Sequence, residues 1–302
     1  MKNTIIAILV IIIVGVGAYF IFRKPAPAVS TTNTNKTVTQ NTQATTTANA
    51  NTAPEGSSVV IGKSVQGRDI VAYNFGSGDT RVLFIGGIHG GYSWNTALLA
   101  YQTMDYLRAN PNIIPKNIKV TVIPELNPDG LNMAVGTTGE FAKKDVTASQ
   151  SILTASRFNA NNVDLSRNFD CDWKSVGVWQ TKSVSGGSTV FSEPESQAVK
   201  NYVETHSPSA VVVWYSAAGG VYSSNCDNDL SSETNQLTNL YSNASGYPAH
   251  TTFDAYETSG DMVNWLSKIH IPAISVLLST HTDTEWTKNL KGIEAVLAHY
   301  EK

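Results

Sequence analysis

Charge is scarce in this chain. Asp, Glu, Lys and Arg make up 15% of its 302 residues, against the ~25% usual in soluble domains, and the formal net charge is -3. The chain as a whole therefore has no basic excess for nucleic acid or an anionic membrane surface, and nucleic acid is not expected as a partner. Cysteine is scarcer still, with only Cys171 and Cys226. An even pair suits one disulfide in an oxidising compartment and places the domain outside the cytoplasm, two free buried thiols being the alternative. A zinc site built on this pair would lack histidines at zinc-site spacing.

Other absences divide the chain. No charged residue falls between Thr4 and Phe22, about the ~20 apolar residues that cross a bilayer. Residues 1–24 read as a single-pass transmembrane anchor. A cleaved signal peptide is the competing reading, since Ala26-Pro27-Ala28 imitates a cleavage site. Lys2 on one side and Arg23 and Lys24 on the other leave the orientation open. Residues 25–56 are Thr, Asn, Ala and Gln with almost no large apolar side chain, so they cannot bury enough surface to offset the entropy of ordering, and they read as a disordered linker. Residues 57–302 are left as one full-sized domain. It has no internal repeat, which excludes a solenoid or propeller.

What is present in that domain alternates. Strand-like runs lie between Val59 and Phe75, at Val82 to Ile88, Ile118 to Pro124, Ala210 to Tyr215 and Ile274 to Leu278. Helical patterns begin near Trp94, Ser192, Asp261 and Glu285. Such alternation predicts an α/β fold with a largely parallel sheet covered on both faces. In the first helix Ala97, Met104 and Leu107 fall on the buried side and Leu98, Tyr101, Asp105 and Arg108 on another. Asn127-Pro128-Asp129-Gly130 reads as a turn. Ser192 with Glu195 reads as a capping box. The stretch from Thr137 to Val190 has little periodicity and reads as functional loop. The run from Val82 ends in glycines and puts His89 at a strand-to-helix turn, where open α/β sheets place their chemistry.

The ordered series IGKSVQGRDI at 61–70, GGIHGGYSWNT at 86–96, NPDG at 127–130, RFNANNVDLSRNF at 157–169, FSEPES at 191–196, YETSGDMVNW at 256–265 and PAISVLL at 272–278 resembles the zinc carboxypeptidases typified by carboxypeptidases A, B and T. The resemblance implies a mixed, roughly eight-stranded sheet with helices on both faces. It also implies a zinc ion held by two His and one Glu, a Glu as general base on the last strand, arginines for oxyanion and substrate carboxylate, and a mobile covering Tyr.

Position by position, the resemblance splits. His89 stands at the first ligand. Ser93 stands where the acidic ligand belongs, Tyr92 being the residue one register away, and Tyr215 stands at the second histidine. Leu277 occupies the general-base position. Arg157 matches the oxyanion-stabilising Arg and Tyr256 the covering Tyr. For the substrate carboxylate, Arg167 is kept beside Ser166 in place of Asn, and Val263 stands where side-chain preference is set. Catalytic zinc needs three protein ligands and an open position. The expectation is therefore a domain with zinc absent or weakly held, catalytically degenerate, that binds the carboxyl end of a peptide through Arg157, Arg167 and Tyr256. An active zinc carboxypeptidase with nonstandard ligands and a pseudoenzyme that binds other proteins are the alternatives.

Three local readings stay open on the residues alone. The Tyr215 hydroxyl could bond His89. Arg157 or Arg167 could be spent in an internal ion pair, for instance with Asp164. His281, Asp283 and Glu285 could rebuild a metal site, although a solvated polar turn is favoured.

Overall fold

A computed structural model describes residues 56–227 and 230–301. The expected membrane segment and linker lie outside the described residues. Among the described residues no helix is long and apolar enough to cross a membrane.

The paired runs after Gly56 form β1 (Ser57–Lys63) and β2 (Asp69–Phe75), antiparallel with an irregularity between Val60 and Gly62. Then come β3 (Thr80–Ile85), α1 (Trp94–Ala109), β4 (Ile118–Ile123), α2 (Pro128–Val135) and α3 (Gln150–Ala155). A hairpin of β5 (Val176–Trp179) and β6 (Lys182–Ser185) precedes α4 (Pro194–His206) and β7 (Ala210–Ser216). The chain continues through β8 (Gly220–Ser223), α5 (Ser232–Ser245), β9 (Ala249–His250), α6 (Met262–Lys268), β10 (Ala273–Leu278) and α7 (Trp286–His299).

Eight strands make one mixed sheet in the order β1-β2-β4-β3-β7-β10-β8-β9. Its centre is parallel, from β4 through β3 and β7 to β10. Every residue of β7 is buried, which is why its sequence is a continuous apolar run rather than an alternation. Alternate strand residues feed two cores. Phe84, Val212 and Trp214 face α1, α5 and α7 on one side, and Leu83, Val211 and Val213 face α4 and α6 on the other. The α/β sheet covered on both faces is as expected.

Three local expectations are corrected. Asn127-Pro128-Asp129-Gly130 is not a free turn but the start of α2, with Asn127 accepting from the Gly130 amide at 2.9 Å and Pro128 in the first turn. The capping box at Ser192 does not form. Glu193 is the N-cap residue, the Ser192 hydroxyl goes to the Glu193 carboxylate, and Glu195 is drawn off to the Val65 amide and to Asn159. Tyr101 is buried, because its hydroxyl donates to the buried Glu125 at 2.5 Å.

Candidate functional site

β3 hands over to α1 through Gly86 to Ser93. Gly87 takes a positive φ of 66° there, and a Cβ on Gly90 (φ 45°) would come within 2.5 Å of the Ser156 carbonyl. Only glycine lets the turn pass that close, and the result is His89 fixed at the sheet's carboxyl end. The same end receives Tyr215 from β7 and Leu277 from β10, neighbours in register. Together with Arg157, Arg167 and Tyr256 these residues line a cleft of about 380 Å³. Ser166 and Val263 also line it, whereas Ser93 is fully buried and does not. The structure thus brings together the site residues expected from sequence, apart from Ser93.

A buried network forms the floor. Asp164 accepts from Arg157 through Nε at 3.0 Å and Nη2 at 2.8 Å, and from the Ser166 hydroxyl at 2.8 Å. Ser166 Oγ lies 3.0 Å from His89 Nε2. Since the serine's single proton goes to the carboxylate, His89 Nε2–H donates to Ser166. Nδ1 is then left with a lone pair and no partner. Burial pushes Asp164 up, but Arg157, His89 and Arg167 outweigh it and hold the carboxyl well below its usual range. Burial and the Arg157 charge lower His89 to about 4 against the pull of Asp164, so the ring is neutral. These three side chains do not form a nucleophile triad, because Ser166 gives its proton to Asp164 rather than to the imidazole.

Arg157 is therefore the partner of Asp164, one of the two outcomes left open by the sequence, and its Nη1 makes no hydrogen bond among the described residues. Its guanidinium also lies 4.5 Å from the Trp179 ring centroid and 5.7 Å from that of Tyr92. Trp179, on the hairpin, was not legible as a site residue. Its one signal is its place at the end of the short run Val176-Gly177-Val178-Trp179. Arg167 donates to the Ser166 and Val178 carbonyls, and its Nε is buried without a partner. The Tyr256 ring lies 5.7 Å from the Arg167 guanidinium, where the covering Tyr was expected.

The proposed hydrogen bond from Tyr215 to His89 is absent. The ring centroids sit 5.4 Å apart, and the two side chains make no hydrogen bond with each other. Burial, then the nearby Asp261 carboxylate, pushes the phenol well above its ordinary value, so it stays neutral. Asp261, missed in the sequence, is buried at the N-cap of α6 and faces the cleft, with burial raising its carboxyl against the pull of Arg167. The loop cluster does not rebuild a metal site. His281 bonds Ser216 at 2.9 Å, Asp283 caps the Glu285 amide, and Glu285 is spent on Ser279 and Tyr247. Nor is Ser216 activated by His281. Asn95 Nδ2 donates to two carbonyls, so Asn95 Oδ1 accepts the Ser216 proton and His281 donates. Cys171 and Cys226 are joined in a disulfide.

The zinc carboxypeptidase family profile matches residues 43–286. The chain belongs to the zinc carboxypeptidase family. Carboxypeptidase Z of Rattus norvegicus is 28% identical over 167 residues, 48% of this chain and 24% of that protein. Carboxypeptidase Z of Homo sapiens is 31% identical over 122 residues, 36% of this chain and 17% of that protein. The chain thus spans about a quarter or less of the length of the curated relatives it matches. Among solved structures, thrombin activatable fibrinolysis inhibitor shares the fold with a TM-score of 0.66 at 15% identity, covering 82% of this chain and 70% of that one. Murein-tripeptide amidase MpaA from Escherichia coli O157 does so with a TM-score of 0.57 at 20% identity, covering 82% and 94%.

A zinc carboxypeptidase fold implies zinc, and the donors here do not fit it. The three ligand positions offer one imidazole, whose Nε2 is already spent on Ser166, a buried serine hydroxyl and a neutral phenol. Catalytic zinc takes deprotonated Cys, His or carboxylate ligands. Among the described residues no group of three His, Cys, Asp or Glu could hold a metal ion.

Proposed function

We propose that this zinc carboxypeptidase family member is catalytically silent and holds the carboxyl end of a peptide outside the cytoplasm, on a membrane anchor, without cutting it. The observation that carries the reading is Leu277 in the lining of the same cleft as Arg157 and Arg167. An aliphatic side chain there can neither take a proton from water nor bind a metal. Losing a general base costs ~10² to 10⁴ in rate, and losing the metal removes several kcal/mol more of charge stabilisation.

Arg167 supports the binding half. Its planar guanidinium suits a carboxylate, and the side chain lines the cleft. His89 lines the same cleft, with its Nδ1 buried and free of a hydrogen bond among the described residues. The disulfide supports an oxidising compartment.

A second reading, an active peptidase with zinc on His89 and nonstandard ligands, is favoured by that same free Nδ1. Loading the full chain with zinc, removing the excess, and measuring bound metal together with amino acids released from a mixed peptide library separates the two. The silent reading expects substoichiometric zinc and no release; stoichiometric zinc with release would sink it.

A further inference from the structure

At the opposite end of the sheet from the cleft, Arg81 on β3 and Lys119 on β4 are direct partners across a parallel strand pair. Like charges placed this way repel, yet neither side chain forms an ion pair among the described residues. The two line a pocket of about 260 Å³ with Ser57, Asn74 and Tyr202. Arg81 is not a loose surface side chain. Its Nη1 is held by Asn74 Oδ1 at 2.8 Å, by the buried Thr121 hydroxyl at 2.5 Å and by the buried Tyr202 hydroxyl at 2.8 Å. Nε and Nη2 make no hydrogen bond among the described residues.

Three neutral acceptors thus orient the guanidinium without neutralising it. The carboxyl end of α4 closes one wall through His206, but a helix end carries only roughly half a unit of negative charge. Glu204 on that helix is paired with Lys200, and Asp79 does not line the pocket.

We propose that this pocket is a binding site for a phosphate-type oxyanion. A preset fork of free N–H groups matches two oxygens of a tetrahedral anion, and Lys119 adds a point charge beside it. With a net charge of -3 over the chain, the site works by local geometry and not by a general basic field. Inorganic phosphate and the phosphodiester of a lipid headgroup present the same chemistry. Ser57 and Val59 open β1 at the pocket's rim. Since β3 runs from Arg81 at the pocket toward His89 at the cleft, a headgroup held here would turn the cleft away from the surface that carries it.

The test titrates the full chain in neutral detergent with inorganic phosphate in one arm and with glycerophosphoglycerol, a water-soluble headgroup diester, in the other, with affinity read by calorimetry. The expected result is saturable binding in at least one arm that weakens at least tenfold in Arg81→Met and severalfold in Lys119→Met, and that weakens in wild type as salt is raised. Tighter binding of the diester identifies a headgroup as the source; tighter binding of inorganic phosphate identifies a soluble one. The half-exposed Lys119 keeps the test valid should Arg81→Met fail to fold. No saturable binding in either arm, or equal affinity in wild type and the variants, overturns the proposal.

Discussion

Arg157, Asp164, Ser166 and His89 form one buried unit, and its energetics follow from removing single members. Asp164→Asn leaves the Arg157 guanidinium buried without its counter-charge, and breaking a buried pair in this way costs ~3–5 kcal/mol. Denaturant unfolding of the variant should show a loss of that size, and a loss below about 1 kcal/mol would contradict the assignment. His89 adds a pH dependence with a definite sign. Its folded value, about 4, lies below the ~6.5 of an unfolded histidine, so its contribution is fully present above pH ~6.5 and is lost as pH falls toward 4. His89→Gln keeps a donor toward Ser166 but does not titrate. The stability gap between wild type and this variant should therefore shrink or reverse as pH falls through that window, as read by thermal unfolding at each pH. A constant gap would mean that the imidazole is not held neutral. This layer was only half legible in the sequence. The family resemblance located Arg157, Ser166 and Arg167, but which arginine Asp164 would take is a tertiary fact, decided by Ser166 and Arg157 converging on one carboxylate.

Among the elements, those buried on both sides were easiest to read. β3 and β7 are continuous apolar runs because helices cover both faces. The hairpin of β5 and β6 was missed because it stands apart from the main sheet and pairs over only four residues a strand, too few for a period to emerge. The Ser192 capping box was misread for another reason: Glu195 is in long-range contact with Val65 and Asn159, and a local motif cannot register that competition. The disulfide links the loop behind Arg167 to the loop after β8, across 55 residues. Asp172 and Asn225, beside the two cysteines, both line the cleft. Replacing both cysteines by serine should cost about 2–4 kcal/mol and weaken peptide binding as that wall loosens. An unchanged melting temperature would count against the pair. On β10, Leu277→Glu faces the cleft and, combined with Ser93→Glu and Tyr215→His, restores the expected donor types. This triple variant should bind zinc at least tenfold more tightly than wild type by competition with a chelating dye, and equal affinity would mean that the fold itself no longer presents a metal site.

Taken whole, the molecule is a zinc carboxypeptidase fold with Arg157, Arg167, Tyr215 and Leu277 lining one cleft at the sheet's carboxyl end. The architecture was legible because seven motifs fall in order along one domain. The chemistry was legible only as a set of substitutions. That Ser93 would leave the cleft lining while Tyr215 stayed in it depends on the turn at Gly90 and on burial, neither of which is written in the order of residues. The central claim, carboxylate capture without cleavage, is tested most directly by mixing the full chain, with zinc present, with one peptide in free-acid and C-terminally amidated forms, measuring affinity and then the mass of the recovered peptide. The account predicts saturable binding of the acid, at least tenfold weaker binding of the amide, and full-length peptide recovered from both; equal affinity for the two forms, or an acid shortened by one residue, would contradict it.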